Sequence, residues 1–461
     1  MRSLAPKRTH DGISRGPLPS QSERAVVARA LAGALLAGKW APDAMASRAR
    51  RCVGERRRWL AELALVVWHG YAAAPADRPR ELAAFVAACA PFERALAGER
   101  PVRVVRWFMA ETAMGATPWP VPALPTVADL GRLLDLPIGQ LRWFTDVRSL
   151  ERNAPDERLR HYRYRWIPKT TGGVRLLEAP KPRLLGYQRV LLRRLLDPIP
   201  AHPAAHGFRF GRSALTYASP HVGQEAVLRF DLEDFFASVQ ASRVFAIWRS
   251  AGYPEPVAHL LTGLVTNAVP QHVWRAAPRP CAAGQLAAHH RLGRHLATPH
   301  LPQGAPTSPA LANLAAYRLD RRLSGLAGAL GLTYTRYADD LAFSGPRRLA
   351  RLWSSLEETV DQVAAAEGFR LNTWKTRLLT AGGRQQLAGV VVNQRPNVAR
   401  RDYDQLKAVL YNCARHGPES QNRAGHADFR AHLRGRVAWV ASVHAERGLR
   451  LQAAFDAIDW A

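Results

Sequence analysis

Residues 332–345 read LTYTRYADDLAFSG, and this stretch restricts the fold more than any other. Two short apolar-aromatic runs flank Ala338-Asp339-Asp340, the pattern of a β-hairpin with a carboxylate pair at its tip. Adjacent carboxylates between β-formers cost several kcal/mol per ion when buried, unless a cation neutralises them. A solvated Asp-Asp turn can be written the same way, so a second acidic site carries the argument. Residues 226–236, AVLRFDLEDFF, put Asp231 at the end of an apolar strand, followed by Glu233, Asp234 and two Phe. Three Asp from two strands are the donor set for a pair of hard Mg²⁺ ions ~3.5–4 Å apart, the arrangement used for in-line phosphoryl displacement.

Charge points the same way. The chain of 461 residues carries 65 Lys+Arg against 37 Asp+Glu, a net charge of +28. A balance this basic implies a polyanionic partner, nucleic acid or an anionic membrane surface. Six of the cations are Lys and 59 are Arg, a swap that leaves the net charge untouched. The most apolar window, Leu60 to Ala74, contains Glu62 and His69 and is too short to span a bilayer. Residues 1–22 read as a flexible basic tail without the apolar core of a signal peptide. The cysteines, Cys52, Cys89, Cys281 and Cys413, have no CxxC spacing, which fits a reducing, cytoplasmic setting.

A chain of this length suits two or three domains. Apolar residues recur at helical spacing from Glu23 to about Gly115, so an all-helical domain is expected over residues 23–118. A Pro-rich linker, 119–125, follows, because TPWPVPALP cannot continue a helix. Thr126 to Asp129 then reads as a helix start. Strands are expected at HYRYRWIP and VRLLEAP around a Gly172-Gly173 turn, and at Ala226–Phe230, Leu332–Tyr337, Leu341–Ser344 and Gln386–Val392. Helices are expected at LLGYQRVLLRRLL, Pro309–Leu326 and Leu349–Glu367, and again after Asp402, with KAVLYNCARH and VAWVASVHAERG clearest. The fold class is therefore α+β behind an all-α N-terminal domain. Net charge is +9 over residues 1–150 and +19 over 151–461, a similar density in both parts.

Residues 126–395 resemble the fingers and palm of a reverse transcriptase, with the motifs in the family's order. Asp231 matches the first palm aspartate, LPQGAPTSP at 301–309 matches the LPQGxxxSP loop, and Tyr337-Ala338-Asp339-Asp340 matches the YxDD box. Gly368 to Asn372 with Lys375-Thr376 matches the next palm motif, and Ile167-Pro168-Lys169 with Gly173, Arg175 and Pro180 matches the fingers. The resemblance implies a right-hand polymerase with a helical thumb over 396–461, using two Mg²⁺ (with Mn²⁺ a substitute) held by Asp231, Asp339 and Asp340. Lys169 and Arg175, on strands joined by a Gly-rich turn, would reach the triphosphate of an incoming dNTP. Phe236 stands where the family places a bulky ring under the sugar, excluding a 2′-hydroxyl. Gln303-Gly304 would give close backbone approach to the nucleotide or primer-template. Lys375 is singled out by composition: where almost every cation is Arg, a Lys in a motif marks a group able to give up a proton, here to the departing pyrophosphate.

Among reverse transcriptases the chain is similar to the longer bacterial retron enzymes, through HGFRFGRS at 206–213 and GVVVN at 389–393. It departs from them at Tyr217-Ala218-Ser219-Pro220-His221, which lacks the Asn of NAxxH, and at Leu387-Ala388-Gly389 in place of VTG. The retron resemblance implies a structured non-coding RNA as template and primer, an RNA–DNA hybrid, a branched RNA–DNA product (msDNA), and phage defence with a separate effector protein. A group II intron maturase-like enzyme and a non-catalytic RNA-binding scaffold are the alternatives. Two patterns are set aside. Gly33 to Lys39 imitates a P-loop but has Trp40 where Ser or Thr belongs and no preceding strand. Cys281, His289, His290, His295 and His300 match no zinc spacing.

Overall fold

The computed structural model describes residues 20–54, 57–98, 100–154, 156–169, 173–279 and 285–460. Residues 1–19 of the expected tail, Gly172 of the expected turn, and Cys281 lie outside them. The chain divides into two compact units, Met1–Trp143 with Trp248–Leu261, and Phe144–Ile247 with Thr262–Ala461.

The first unit is built on α1 (Gln21–Leu36), α2 (Pro42–Val53), α3 (Trp59–Gly70), α4 (Pro79–Ala88) and α5 (Ala90–Leu96). Helix α1 begins inside the segment read as tail because Ser20 and Glu23 form a capping box, each side chain accepting from the other's backbone N–H. At its far end the orphan carbonyls are taken by Arg48 of α2. That buried guanidinium donates to the carbonyls of Ala34 (2.7 Å), Leu35 (2.7 Å) and Lys39 (3.0 Å). Leu31, Leu35, Met45, Leu60, Leu63 and Phe92 fill the core, where each truncation to Ala costs ~2–5 kcal/mol.

The helical pattern expected to about Gly115 stops earlier. Residues 101–116 form neither helix nor strand, in keeping with Pro101 and the β-branched Val102, Val104 and Val105, which disfavour a continuous helix. Burial alternates over most of the segment: Val102, Val104, Phe108 and Ala110 pack on the helical core, while Arg103, Val105, Arg106, Trp107 and Met109 are exposed. The expected helix start is found: Thr126 and Asp129 form a capping box that opens a helix over Val127–Leu134.

In the second unit β1 (Tyr162–Pro168) and β2 (Val174–Pro180) form an antiparallel pair. A four-stranded antiparallel sheet carries β3 (Ala226–Asp231), β4 (Thr333–Tyr337), β5 (Asp340–Gly345) and β6 (Arg377–Thr380) in the order β4-β5-β3-β6. Strand β6, half-exposed and only four residues long, is not legible in the sequence. The single strand expected at Gln386–Val392 is a hairpin, β7 (Gln386–Leu387) with β8 (Val390–Val391). Its turn residues Ala388 (φ 44°) and Gly389 (φ 88°) are both left-handed, the signature of a two-residue turn that suits strand twist. The helix expected over 309–326 is two, Ser308–Ala315 and Tyr317–Ala329. VAWVASVHAERG likewise divides at His444 into Phe429–Val443 and Ala445–Asp456. With Arg400–His416 these helices bury Leu406, Leu410, Leu433, Val437 and Leu451 in one core with Val227 of β3 and Ala342 of β5. No described helix is long and apolar enough to cross a membrane.

Candidate active site

Strands β3 and β5 run antiparallel with Asp231 directly opposite Asp340, so the register puts both carboxylates on one face of the sheet. Asp339 sits in the two-residue turn between Tyr337 and Asp340, and its carbonyl accepts from the Leu232 N–H at 2.9 Å. That turn demands a left-handed Ala338, φ 55°, an unfavourable backbone for a residue with a Cβ.

The strain is held from below. Arg336, 0% exposed, donates to the Ala338 carbonyl (2.9 Å), to Asn313 Oδ1 (3.0 Å) and to both oxygens of the equally buried Asp320 (2.8 and 2.7 Å). Asn313 in turn donates to the Gly207 carbonyl at 2.9 Å. Gly207 lies so close to the turn that a Cβ there would meet the Ala338 nitrogen at 2.6 Å, which explains why this position has no side chain. No sequence motif marks Asp320, Asn313 or Arg336. An Arg inside a buried strand was the one available signal, since such a charge requires a partner.

Two cations balance the acidic cluster. Lys375 Nζ donates to both oxygens of Asp231 at 2.9 Å, and Arg229, two residues before Asp231, donates to Asp340 Oδ1 at 3.0 and 2.7 Å. Among the described residues Asp339 has no such partner. Burial pushes its carboxyl up to about 6, helped by the charges of Asp231 and Asp340. Burial also raises Asp340, against the pull of Arg229. The result is a site of hard oxygen donors with negative charge in excess. Among the described residues no group of three or more His, Cys, Asp or Glu forms a ready metal cage. Such a site fits a hard divalent ion that takes few protein carboxylates and fills its shell with water and phosphate oxygens.

The remaining expected residues lie on neighbouring elements. Lys169, at the end of β1, reaches Asp234 Oδ1 at 3.4 Å, and Asp234 lies in the loop after β3 with φ 44°. Arg175 is exposed on β2, opposite Ile167. The Gln303 carbonyl accepts from the Glu178 N–H of β2 at 2.8 Å, which fixes the loop carrying Gln303-Gly304 against the β1–β2 pair. Phe236 is half-buried with its ring 5.9 Å from Phe208 and 5.6 Å from Phe235. Thus Asp231, Asp339, Asp340 and Lys375 come together at one end of the sheet, and Lys169 and Phe236 attach through the loop after β3. Arg175 makes no contact with them among the described residues.

Other features of the sequence turn out to be internal supports. His300, from the histidine-rich stretch, is fully buried and bonds Glu178 at 2.9 Å, while Asn267 donates to the other Glu178 oxygen at 2.7 Å. His289 stacks on Trp274 with centroids 4.6 Å apart. His221 contacts Ser344 (2.6 Å) and Thr335 (2.7 Å), tying β5 to β4, and Tyr217 is buried with its ring 5.7 Å from Tyr337.

Comparison with known proteins agrees with this geometry. Residues 167–410 match the family described as reverse transcriptase (RNA-dependent DNA polymerase). The chain is 41% identical to the retron Mx65 reverse transcriptase of Myxococcus xanthus over 72% of its own length and 71% of the relative's. It is 39% identical to the retron Mx162 reverse transcriptase of the same organism, over 63% of this chain and 59% of that one. A more distant likeness, 27% identity, covers 72% of the chain and 88% of the retron Ec86 reverse transcriptase of Escherichia coli. A cluster of three aspartates at one end of a four-stranded antiparallel sheet, in a chain with these relatives, leads to one conclusion: it belongs to the reverse transcriptase family, as an RNA-directed DNA polymerase of retron type.

Proposed function

We propose that the chain extends a primer on a structured non-coding RNA by two-metal nucleotidyl transfer, and that its product is a branched RNA–DNA molecule used in phage defence with a separate effector protein. The observation that carries the chemistry is the pairing of Asp231 with Asp340 across β3 and β5, with Asp339 in the adjoining turn. In this reading Asp231 and Asp339 are the main ligands of two Mg²⁺ ions, for which Mn²⁺ can substitute, and Asp340 assists from its bond to Arg229. Bound there, the ions would supply charge stabilisation for the attacking and leaving oxygens.

The chain's own groups do the rest. A primer 3′-hydroxyl, or initially a 2′-hydroxyl of a guanosine in the folded RNA, attacks the α-phosphate of a dNTP and displaces pyrophosphate. Lys169 and Arg175 bind its triphosphate, and the peptide of Gln303-Gly304 lets the backbone approach. Phe236 fills the space a 2′-hydroxyl would need. Lys375, whose amine already lies 2.9 Å from Asp231, gives its proton to the departing pyrophosphate.

Sequencing the nucleic acid that co-purifies with the protein tests the reading. A covalent 2′-linked RNA–DNA species is expected. Spliced intron RNA would assign the chain to a maturase-like role instead, and RNA without attached DNA would remove the branched product from the account.

A further inference from the structure

Residues 101–116 of the first unit supply none of the site residues named above, yet their outer edge is unlike an ordinary surface. Val105 is 70% exposed, Trp107 58% and Met109 94%, large apolar groups that a folded unit normally covers. Cations lie among them. Arg103 and Arg106 are exposed on the same segment, and Arg50, Arg51 and Arg58 are exposed at and just after the end of α2. The two elements are in contact, because the Val105 and Arg106 N–H groups both donate to the Cys52 carbonyl, at 2.8 and 3.0 Å. The guanidinium groups of Arg51 and Arg106 lie 5.4 and 5.2 Å from the Phe108 ring, so both are gathered at this edge. The inward residues Val102, Val104 and Phe108 are packed on the helical core, which fixes the outward set.

We propose that this edge, Arg103 to Met109 with Arg51 beside it, binds single-stranded RNA. Arginines spaced along an exposed segment meet phosphates, and the exposed indole of Trp107 beside them offers a face on which a base stacks. That combination defines sequence-tolerant single-strand binding. A protein strand would be the natural occupant of an apolar edge, but it gains nothing from five exposed arginines. The polyanion is identified as RNA because an RNA-directed polymerase must hold unpaired template, and in this respect the inference rests on the family assignment.

The test uses the full chain and a short unstructured fluorescent RNA, with anisotropy read across a salt series. Trp107→Ala is expected to weaken binding about five- to 150-fold. The double change Arg103→Glu with Arg106→Glu is expected to weaken it further at low salt and to flatten the log–log salt slope by about 1.4. Both variants should keep wild-type melting temperatures, since the altered side chains are exposed. Both should also keep normal single-nucleotide incorporation on a saturating pre-annealed template–primer. Loss of that incorporation in the wild-type chain would instead refute the polymerase reading and leave the RNA-binding result standing. Unchanged RNA affinity and slope in both variants overturns the proposal. A surface that prefers DNA of the same sequence overturns the choice of RNA, and a co-purifying protein lost from both variants reassigns the edge to a protein partner.

Discussion

Arg48 in the first unit and Arg336 in the second are both buried, and they satisfy different groups. Among the described residues Arg48 bonds only backbone carbonyls, at and just after the end of α1. Burial, with the nearby Arg51, makes its charge harder to keep. Arg336 is also disfavoured by burial, but Asp320 more than reverses the effect, and the same guanidinium holds the Ala338 carbonyl. In the first unit a buried cation completes a helix. In the second it fixes the strained turn that presents Asp339, so the cost of a buried ion pair is spent on the position of a reactive group.

The comparison breaks most readily at the site's own cations. Lys375→Arg keeps a positive charge beside Asp231 but removes a usable proton, so single-turnover incorporation should fall by about 10²–10⁴ with little change in melting temperature. A full rate in rapid-quench kinetics would end the acid role.

Arg336→Met leaves Asp320 buried without its partner and should cost about 3–5 kcal/mol in urea unfolding, together with most of the incorporation activity. If activity per folded molecule survived, the turn would not depend on this support. Arg48→Met should be milder, about 1.5–3 kcal/mol from lost charged hydrogen bonds, and should leave incorporation per folded molecule untouched. A catalytic defect in Arg48→Met would erase the distinction between the two arginines.

How much of this the sequence revealed follows the same division. Asp231, Asp339 and Asp340 were legible because strand periodicity and turn chemistry are local, and Lys375 because Lys is rare here. Asp320 and Asn313 were not, since their partners lie 16 and 23 residues away and a buried acid on a helix looks like any surface acid. Strand β6 was missed because four half-exposed residues carry no period of their own. The segment at 101–116 was read as helix because its valines and alanines fit a helical face until Pro101 and the alternation are given their due.

The smallest effect expected concerns pH. Burial disfavours the His300 charge, but Glu178 and its hydrogen bond raise the imidazole's pKa above the ordinary value. The stabilisation is therefore complete below about pH 6.5, the unfolded value, and is lost as pH rises through the raised one. Denaturant titrations of wild type and His300→Gln should diverge below neutrality and converge at alkaline pH. Curves with a constant separation would mean that His300 does not carry the proton.

The central claim is that the Asp231–Asp339–Asp340 cluster is the polymerase centre, and one rate decides it. Asp339→Asn preserves shape and removes the charge, so dNTP incorporation on an RNA template, measured with Mg²⁺ and again with Mn²⁺, should drop to background in a protein that melts no lower than wild type. Incorporation at the wild-type rate would contradict the assignment outright.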